Sequence, residues 1–309
     1  MLKWPSTDLK GNPSIRMSTR STSFKPRIVF ETPSPGLLTI WWRTRKVSRV
    51  LGVNRMREII EYRPMLTSLV RSELRARYKG SVLGFLWTFV NPLLQLAVYS
   101  LVFKVILRSN IRDYPVFLFI GLLAWNMFTG ALQSSCGVIV NKASLVKKIY
   151  FPREILPASM AGTALVNYVL SLAILIPILL ITGFWPTWSW LFAPVAIVAI
   201  FFMALGLSLI FSAINVYMRD TEHILNIVLM LWFYGTPVVY SINSVPHFLS
   251  ALFKVDPIAA AILVLQEIFY YREIPHWKML IYCVVSGVCI LWIGWAIFYK
   301  LSRRFAEEV

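Results

Sequence analysis

Charge is scarce in this chain, and acidic charge scarcest: 14 Asp and Glu stand against 31 Lys and Arg in 309 residues, with all charged types making up 15%. So few charges cannot solvate a globule of this size, which excludes an ordinary soluble enzyme. The three cysteines, Cys136, Cys283 and Cys289, sit in apolar stretches without CxxC spacing, so neither a disulfide framework nor a zinc site is expected. All three read as buried hydrophobes. Missing too are a G-x-x-x-x-G-K-[ST] phosphate loop, a G-x-S-x-G elbow, an H-E-x-x-H helix and any Gly-Lys dipeptide. The chain is therefore expected to hold no nucleotide, metal or cofactor of its own. Carboxylates are nearly absent from the apolar runs, Glu267 being the clearest exception, which disfavours a proton-coupled carrier.

What is present is hydrophobicity: 58% of residues are apolar and the mean hydropathy is +0.66. The chain reads as an all-α membrane protein. Six apolar segments, at about 82–107, 115–139, 157–182, 189–214, 224–242 and 277–299, predict six transmembrane helices, since about 20 residues cross about 30 Å of hydrocarbon. The net charge of +17 is distributed unevenly, with 17 Lys and Arg against 5 Asp and Glu in residues 1–79. Lys142, Lys147, Lys148, Arg153, Arg219, Lys300, Arg303 and Arg304 fall on the same side as that basic N-terminal region. Arg108, Arg112, Lys254 and Arg272 fall on the other, with Lys104 and Lys278 near segment ends, so the positive-inside rule places both termini in the cytoplasm. The excess charge is thus mostly topological, and no nucleic-acid partner is expected.

Residues 1–50, rich in Pro, Ser, Thr and Arg, predict a disordered basic tail without a signal-peptide core. Residues 51–80 predict an amphipathic helix at the cytoplasmic interface, broken near Pro64, with Arg71, Arg75, Arg77 and Lys79 on its basic face. A six-span domain then fills 81–300, and 301–309 form a C-terminal tail. The run Ile258–Tyr271, opened by Asp256-Pro257, is short for a crossing and predicts a re-entrant or interfacial element on the outer side between spans five and six.

Several features have a plain reading beside a functional one. Asp220, Glu222 and His223 suit a helix cap better than a metal site. Lys104 can snorkel to the head groups. Gly80 and Gly84 form a G-x-x-x-G that permits close helix approach, and Pro92 and Pro177 predict kinks. Phe85, Phe89, Leu96, Tyr99 and Phe103 share a stripe of segment one, with Trp125 and Phe128 in segment two and Trp232, Phe233, Tyr234 and Tyr240 in segment five. Such rings commonly face lipid or core, yet they also suit the CH faces of sugars.

Four ordered strings narrow the choice. Glu73-Leu-Arg-Ala-Arg-Tyr-Lys-Gly-Ser-Val-Leu-Gly-Phe-Leu-Trp87 with Asn91-Pro92, the loop Lys147-Lys-Ile-Tyr-Phe-Pro-Arg-Glu-Ile-Leu-Pro157, Asn215-Val-Tyr-Met-Arg-Asp220 and Thr236-Pro-Val-Val-Tyr240 resemble the membrane subunits of ABC-2 type polysaccharide exporters. The resemblance covers about residues 54–300. It implies a homodimer in a bacterial plasma membrane, joined to two copies of a separate ATPase that holds ATP and Mg, and moving a lipid-linked glycan such as O antigen or cell-wall galactan. On this pattern Lys147, Lys148, Tyr150, Phe151, Arg153 and Glu154 belong to the loop that couples to the ATPase. Arg71, Arg75, Arg77 and Lys79 belong to a gate helix facing the carrier pyrophosphate. Phe85, Phe89, Tyr99, Phe103, Trp232, Tyr234 and Tyr240 are candidates for the substrate path. Replacing Tyr150 and Phe151 by Ala is expected to uncouple hydrolysis from export while leaving the fold intact. The family often has Asn-Pro where this chain has Asp256-Pro257, and the long N-terminal extension has no counterpart in the pattern. Rival readings are an ABC-2 permease for a drug or small lipid, and a membrane glycosyl- or acyltransferase; the latter needs clustered His or carboxylates, whereas His223, His247 and His276 are scattered.

Overall fold

The computed structural model describes residues 58, 60–106, 111–241 and 255–305. The tail expected at 1–50, residues 51–57 of the expected basic helix, Arg108, the stretch carrying His247 and Lys254, and residues 306–309 lie outside the described residues. Among the described residues all regular structure is helical.

Helix α1 (Arg63–Tyr78) has Pro64 in its first turn, where a missing N–H leaves no hydrogen bond unmade. A separate turn precedes it, closed by the Tyr62 N–H on the Glu58 carbonyl at 3.1 Å, so the chain does break near Pro64. A 3-10 turn (Gly84–Leu86) leads into α2 (Trp87–Ser100), which runs on as a π-helical turn (Leu101–Ile106). Then follow α3 (Tyr114–Cys136), the short α4 (Val138–Asn141) and α5 (Ala143–Lys148), and α6 (Ile155–Ile181). A 3-10 turn (Trp188–Phe192) opens α7 (Ala193–Tyr217), and α8 (Thr221–Tyr234) follows it. Last come α9 (Pro257–Gln266), continued by a π-helical turn (Glu267–Tyr271), and α10 (Trp277–Leu301) with a closing 3-10 turn (Ser302–Arg304).

Among the described residues five helical stretches are long and apolar enough to cross a membrane: Gly84–Lys104, Tyr114–Cys136, Ile155–Ile181, Trp188–Tyr217 and Trp277–Leu301. They match five of the six expected segments. The sixth, expected over 224–242, forms only the 14-residue helix α8. Its helix stops at Gly235 because Thr236 precedes Pro237, which disfavours helical geometry before it and donates no N–H. The released carbonyls find side chains instead: Gln266 Nε2 reaches Pro237 O at 3.4 Å and Tyr114 Oη donates to Val239 O at 2.8 Å.

Helix α3 is the hub. Most of its residues are buried, the Asn126, Thr129 and Gln133 side being the exception. Around it pack α2, α6, α7 and α9. Helix α9 is enclosed just as fully, with Ile258–Ile262, Val264 and Leu265 all buried, so it is a core helix rather than a surface one. Gly121 admits it: a Cβ there would lie 3.2 Å from Gln266 Nε2 and 3.4 Å from Ile262 Cγ2.

The tightest seam joins α7 and α10. Ala199 and Gly206 on one helix, and Gly287 and Gly294 on the other, are each seven residues apart, which fixes a parallel register. A Cβ on Gly206 would fall 2.5 Å from the Ile290 carbonyl oxygen, and one on Gly287 2.8 Å from that of Ala199. Only missing side chains permit such backbone approach.

A second core cluster sits at the end of the bundle that carries α1. There Met65, Leu66 and Leu69 of α1 pack on Val138, Ile139, Val146, Phe151, Ile155, Leu156, Phe298 and Phe305. The Glu73–Lys142 ion pair at 3.4 Å ties α1 to the α4–α5 turn.

Three sequence expectations change here. Gly80 and Gly84 have φ of +80° and +49°, Gly80 in the turn after α1 and Gly84 opening the 3-10 turn before α2, and nothing lies within 4 Å of a Cβ built on either, so their spacing makes no helix seam within this chain. Asp220 occupies the N-cap position of α8, but its side chain caps no amide. Cys136 and Cys283 are buried, whereas Cys289 is exposed on α10.

Candidate functional site

Inside these apolar helices the amide side chains fall at helical spacings and converge. Asn126, Thr129 and Gln133 share one face of α3, facing Asn91 and Gln95 of α2 and Asn167 and Ser171 of α6. Between the three helices lies a cavity of about 530 Å³, with Trp87 and Tyr168 among its walls and Arg77, from the end of α1, at its rim. Pro92 also lines it, and it has no N–H to offer the Thr88 carbonyl one turn back. A second cavity of about 230 Å³ opens between α2, α3 and α8, lined by Tyr99, Trp125, Asn226, Phe233 and Tyr234. The two share Gln95, Asn126, Thr129 and Gln133.

Two amide crossbars brace this surface. Asn126 Nδ2 donates to Gln95 Oε1 at 2.8 Å, linking α3 to α2, and Gln133 Nε2 donates to Asn226 Oδ1 at 2.9 Å, linking α3 to α8. The Asn167 carboxamide oxygen, by contrast, is buried with no hydrogen-bond partner. Among the described residues Arg77 is the one charged side chain lining either cavity. The surface is therefore neutral and rich in paired donors and acceptors, which suits hydroxyl groups rather than ions. Sequence reasoning missed these amides. Their spacing, Asn91/Gln95, Asn126/Thr129/Gln133 and Asn167/Ser171, was the available signal.

Most of the candidate aromatic residues meet above the amides, toward the end of the bundle that carries α9. Tyr99 stands 5.6 Å from Phe233, Trp125 lies 6.4 Å from Trp232 and 5.7 Å from Phe233, and Phe128 meets Trp232 edge-on at 5.5 Å. Phe103 follows Tyr99 at 6.5 Å and stacks on Tyr114 at 6.3 Å. Tyr234 is exposed and packs 5.3 Å from Phe233, while its carbonyl accepts from Tyr240 Oη at 2.9 Å. Phe85 and Phe89 stand apart: they pair with each other at 5.4 Å near the start of α2. The structure thus joins Tyr99, Phe103, Trp232, Tyr234 and Tyr240 in one cluster and leaves Phe85 and Phe89 outside it.

Trp232 also fastens α8 to the start of α9, its Nε1 donating to Asp256 Oδ2 at 2.8 Å. The other carboxylate oxygen of Asp256 caps α9 by accepting from the Ile258 N–H at 3.1 Å. Burial pushes the Asp256 carboxyl above its ordinary pKa, and the hydrogen bonds from Trp232, Ile258, Ala259 and Thr236 pull it partly back.

At the α1 end, Arg71, Arg75, Arg77 and Lys79 are all exposed, and only Arg77 reaches the larger cavity. The loop after α5 divides. Lys147, Lys148 and Ile149 are exposed and Tyr150 projects with 81% of its surface free, whereas Phe151 is 5% exposed and Glu154 4% exposed. Arg153 turns inward, donating from Nη1 to Ser302 O at 2.5 Å and lying 5.8 Å over the Phe305 ring. Phe151 belongs to the core, so replacing it cannot leave the fold untouched, and the expectation for a paired Tyr150 and Phe151 replacement is corrected on that point. Among the described residues no cluster of His, Cys, Asp and Glu forms a metal-binding group, so Asp220, Glu222 and His223 assemble none.

Residues 65–270 match the family described as ABC-2 type transporter. The chain is 38% identical to the O-antigen export system permease protein RfbA of Myxococcus xanthus over 256 residues, covering 82% of this chain and 98% of that one. It is 32% identical to the O-antigen export system permease protein RfbA of Klebsiella pneumoniae, covering 79% and 94%. Similarity to the polysialic acid transport protein KpsM of Escherichia coli is lower, 23% over 75% of this chain and 91% of that one.

Proposed function

The chain belongs to the ABC-2 type transporter family, and from that premise we propose that it is the permease subunit of an ATP-driven exporter of a lipid-linked polysaccharide. The cargo is an O antigen or a cell-wall glycan such as galactan, moved from the cytoplasmic side outward across a bacterial plasma membrane. The permease is a transport subunit, not an enzyme; ATP and Mg belong to its ATPase partner. One observation carries this reading: the uncharged surface along α3, where amides give way to a cluster of rings. Amides pair with sugar hydroxyls and rings pack on sugar CH faces, while neither holds an ion strongly.

The passage forms between two copies. Helices α2 and α8 flank the surface and expose Leu94, Val98, Ile227 and Leu231, apolar groups suited to a second protomer or lipid. Tyr99, Phe103, Trp232, Tyr234 and Tyr240 line its outer part, with Phe85 and Phe89 at its inner mouth. The exposed arginines Arg71, Arg75 and Arg77, with Lys79, face the pyrophosphate of the lipid carrier at the cytoplasmic interface. Lys147, Lys148 and Tyr150 enter a cleft of the ATPase, and Phe151, Arg153 and Glu154 anchor that tip to the bundle.

Both termini lie in the cytoplasm. At about 1.5 Å per residue α8 alone is too short for a core of about 30 Å, and the turn through Tyr240 completes the fifth of six crossings. Helix α9 is then re-entrant from the outer side, its backbone shielded by protein as non-helical neighbours at membrane depth require.

Deleting the gene tests the proposal. Carrier-linked glycan should accumulate inside the cell, and the tagged permease should co-purify with an ATPase. Normal surface glycan in the deletion strain, with a drug or small lipid retained instead, would reject the polysaccharide assignment.

A further inference from the structure

The larger cavity sits within one protomer, between α2, α3 and α6, on the opposite side of the Asn126–Gln95 crossbar from the ring-lined cavity. A passage between two copies does not require it. Its walls are nevertheless those of a binding site. It encloses about 530 Å³, within the range of small-ligand pockets, and its exposed lining is about as polar as apolar. Five amide side chains line it: Asn91, Gln95, Asn126, Gln133 and Asn167.

Three of those amides already bond across the helices, Asn126 with Gln95 and Gln133 with Asn226. Asn167 does not. Its Oδ1 is buried and unpartnered, though its backbone carbonyl accepts from Ser171 Oγ at 2.9 Å. A buried acceptor left without a hydrogen bond keeps its desolvation cost uncompensated, so this oxygen awaits a donor. Trp87 and Tyr168 add ring surface to the same walls.

We propose that this cavity is a subsite for one neutral, hydroxyl-rich sugar unit, with Asn167 Oδ1 accepting a hydroxyl, Asn91 supplying a second amide and Trp87 packing on the ring. The sugar identity follows from the polysaccharide reading above and rests on it. With Arg77 at the rim, the site holds a sugar next to an anionic link, so it retains the first unit of a chain beside the passage. A cavity that merely holds water would satisfy Asn167 equally well, and the experiment separates the two.

The full chain carrying S171C and C289A is prepared in a sugar-free detergent and labelled with a water-soluble methanethiosulfonate. Maltose and lactose are the neutral probes and sodium glucuronate the anionic one. The subsite predicts that at least one neutral disaccharide slows labelling of S171C threefold or more, and that adding N167L abolishes the protection while the melting temperature holds. Equal labelling with and without every sugar, or protection by glucuronate alone, overturns it. In cells N167L should cut exported glycan at least tenfold with ATPase association unchanged, and N167Q should recover part of it. Unchanged export by N167L also overturns the subsite. Protection of S171C in a protein that exports no glycan would defeat the exporter reading and leave the subsite standing.

Discussion

Side chains decide which parts of the chain act and which parts hold. In the loop after α5, two neighbouring rings have opposite fates: Tyr150 projects into solvent and Phe151 lies in the core cluster beside Ile155 and Phe305. Y150A should therefore keep the melting temperature of the wild type while losing coupling between hydrolysis and export. F151A should lower the melting temperature and yield, since emptying a buried Phe site costs about 3–5 kcal/mol in measured cores. A thermal melt with an export assay on both variants distinguishes them, and an unstable Y150A with a stable F151A would contradict the assignment. The sequence assigns both residues to one coupling loop because spacing alone cannot tell a projecting ring from its buried neighbour. Asp256 gives a second test. A carboxyl whose folded pKa is raised binds its proton more tightly in the native state, so stability rises as pH falls from neutral through that pKa. D256N keeps only one of the two acceptor oxygens and sets an amide NH2 against the other donor, so its melting temperature should fall below the wild type at neutral pH and lose that pH dependence. D256A loses both bonds and should be less stable at every pH.

Helices carry the next level. The parallel seam of α7 and α10 depends on Gly206 and Gly294, whose backbones leave no room for a Cβ. G206A should displace α10 and lower the melting temperature markedly, while Ala at Gly130, where nothing lies within 4 Å, should change little. Equal effects from the two substitutions would refute the seam. Five long helices and the enclosed α9 were legible as uninterrupted apolar runs. The end of α8 was not, because Thr236-Pro237 was read as a family motif and not as the break that its missing N–H imposes. The amide face of α3 escaped for a related reason: in an apolar helix, isolated Asn, Thr and Gln hardly alter the mean hydropathy, and only their shared face reveals them. Rings, by contrast, announced themselves by periodicity, and the structure gathers Tyr99, Phe103 and Trp232 while leaving Phe85 and Phe89 apart.

For the molecule as a whole, a neutral surface inside the bundle is to be worked by a motor outside it. An even number of crossings is required for α1 and the C-terminal turn, which share one core cluster, to meet the same ATPase. A phosphatase reporter fused after Val309 should be silent and a fluorescent one bright; the reverse would place the ends apart and reject the six-span topology. The most direct test of the central claim is reconstitution in vesicles loaded with carrier-linked glycan. The permease alone should neither hydrolyse ATP nor move glycan, and adding its ATPase partner should start both together. Hydrolysis by the permease alone, or glycan movement at an undiminished rate without the partner, would contradict it.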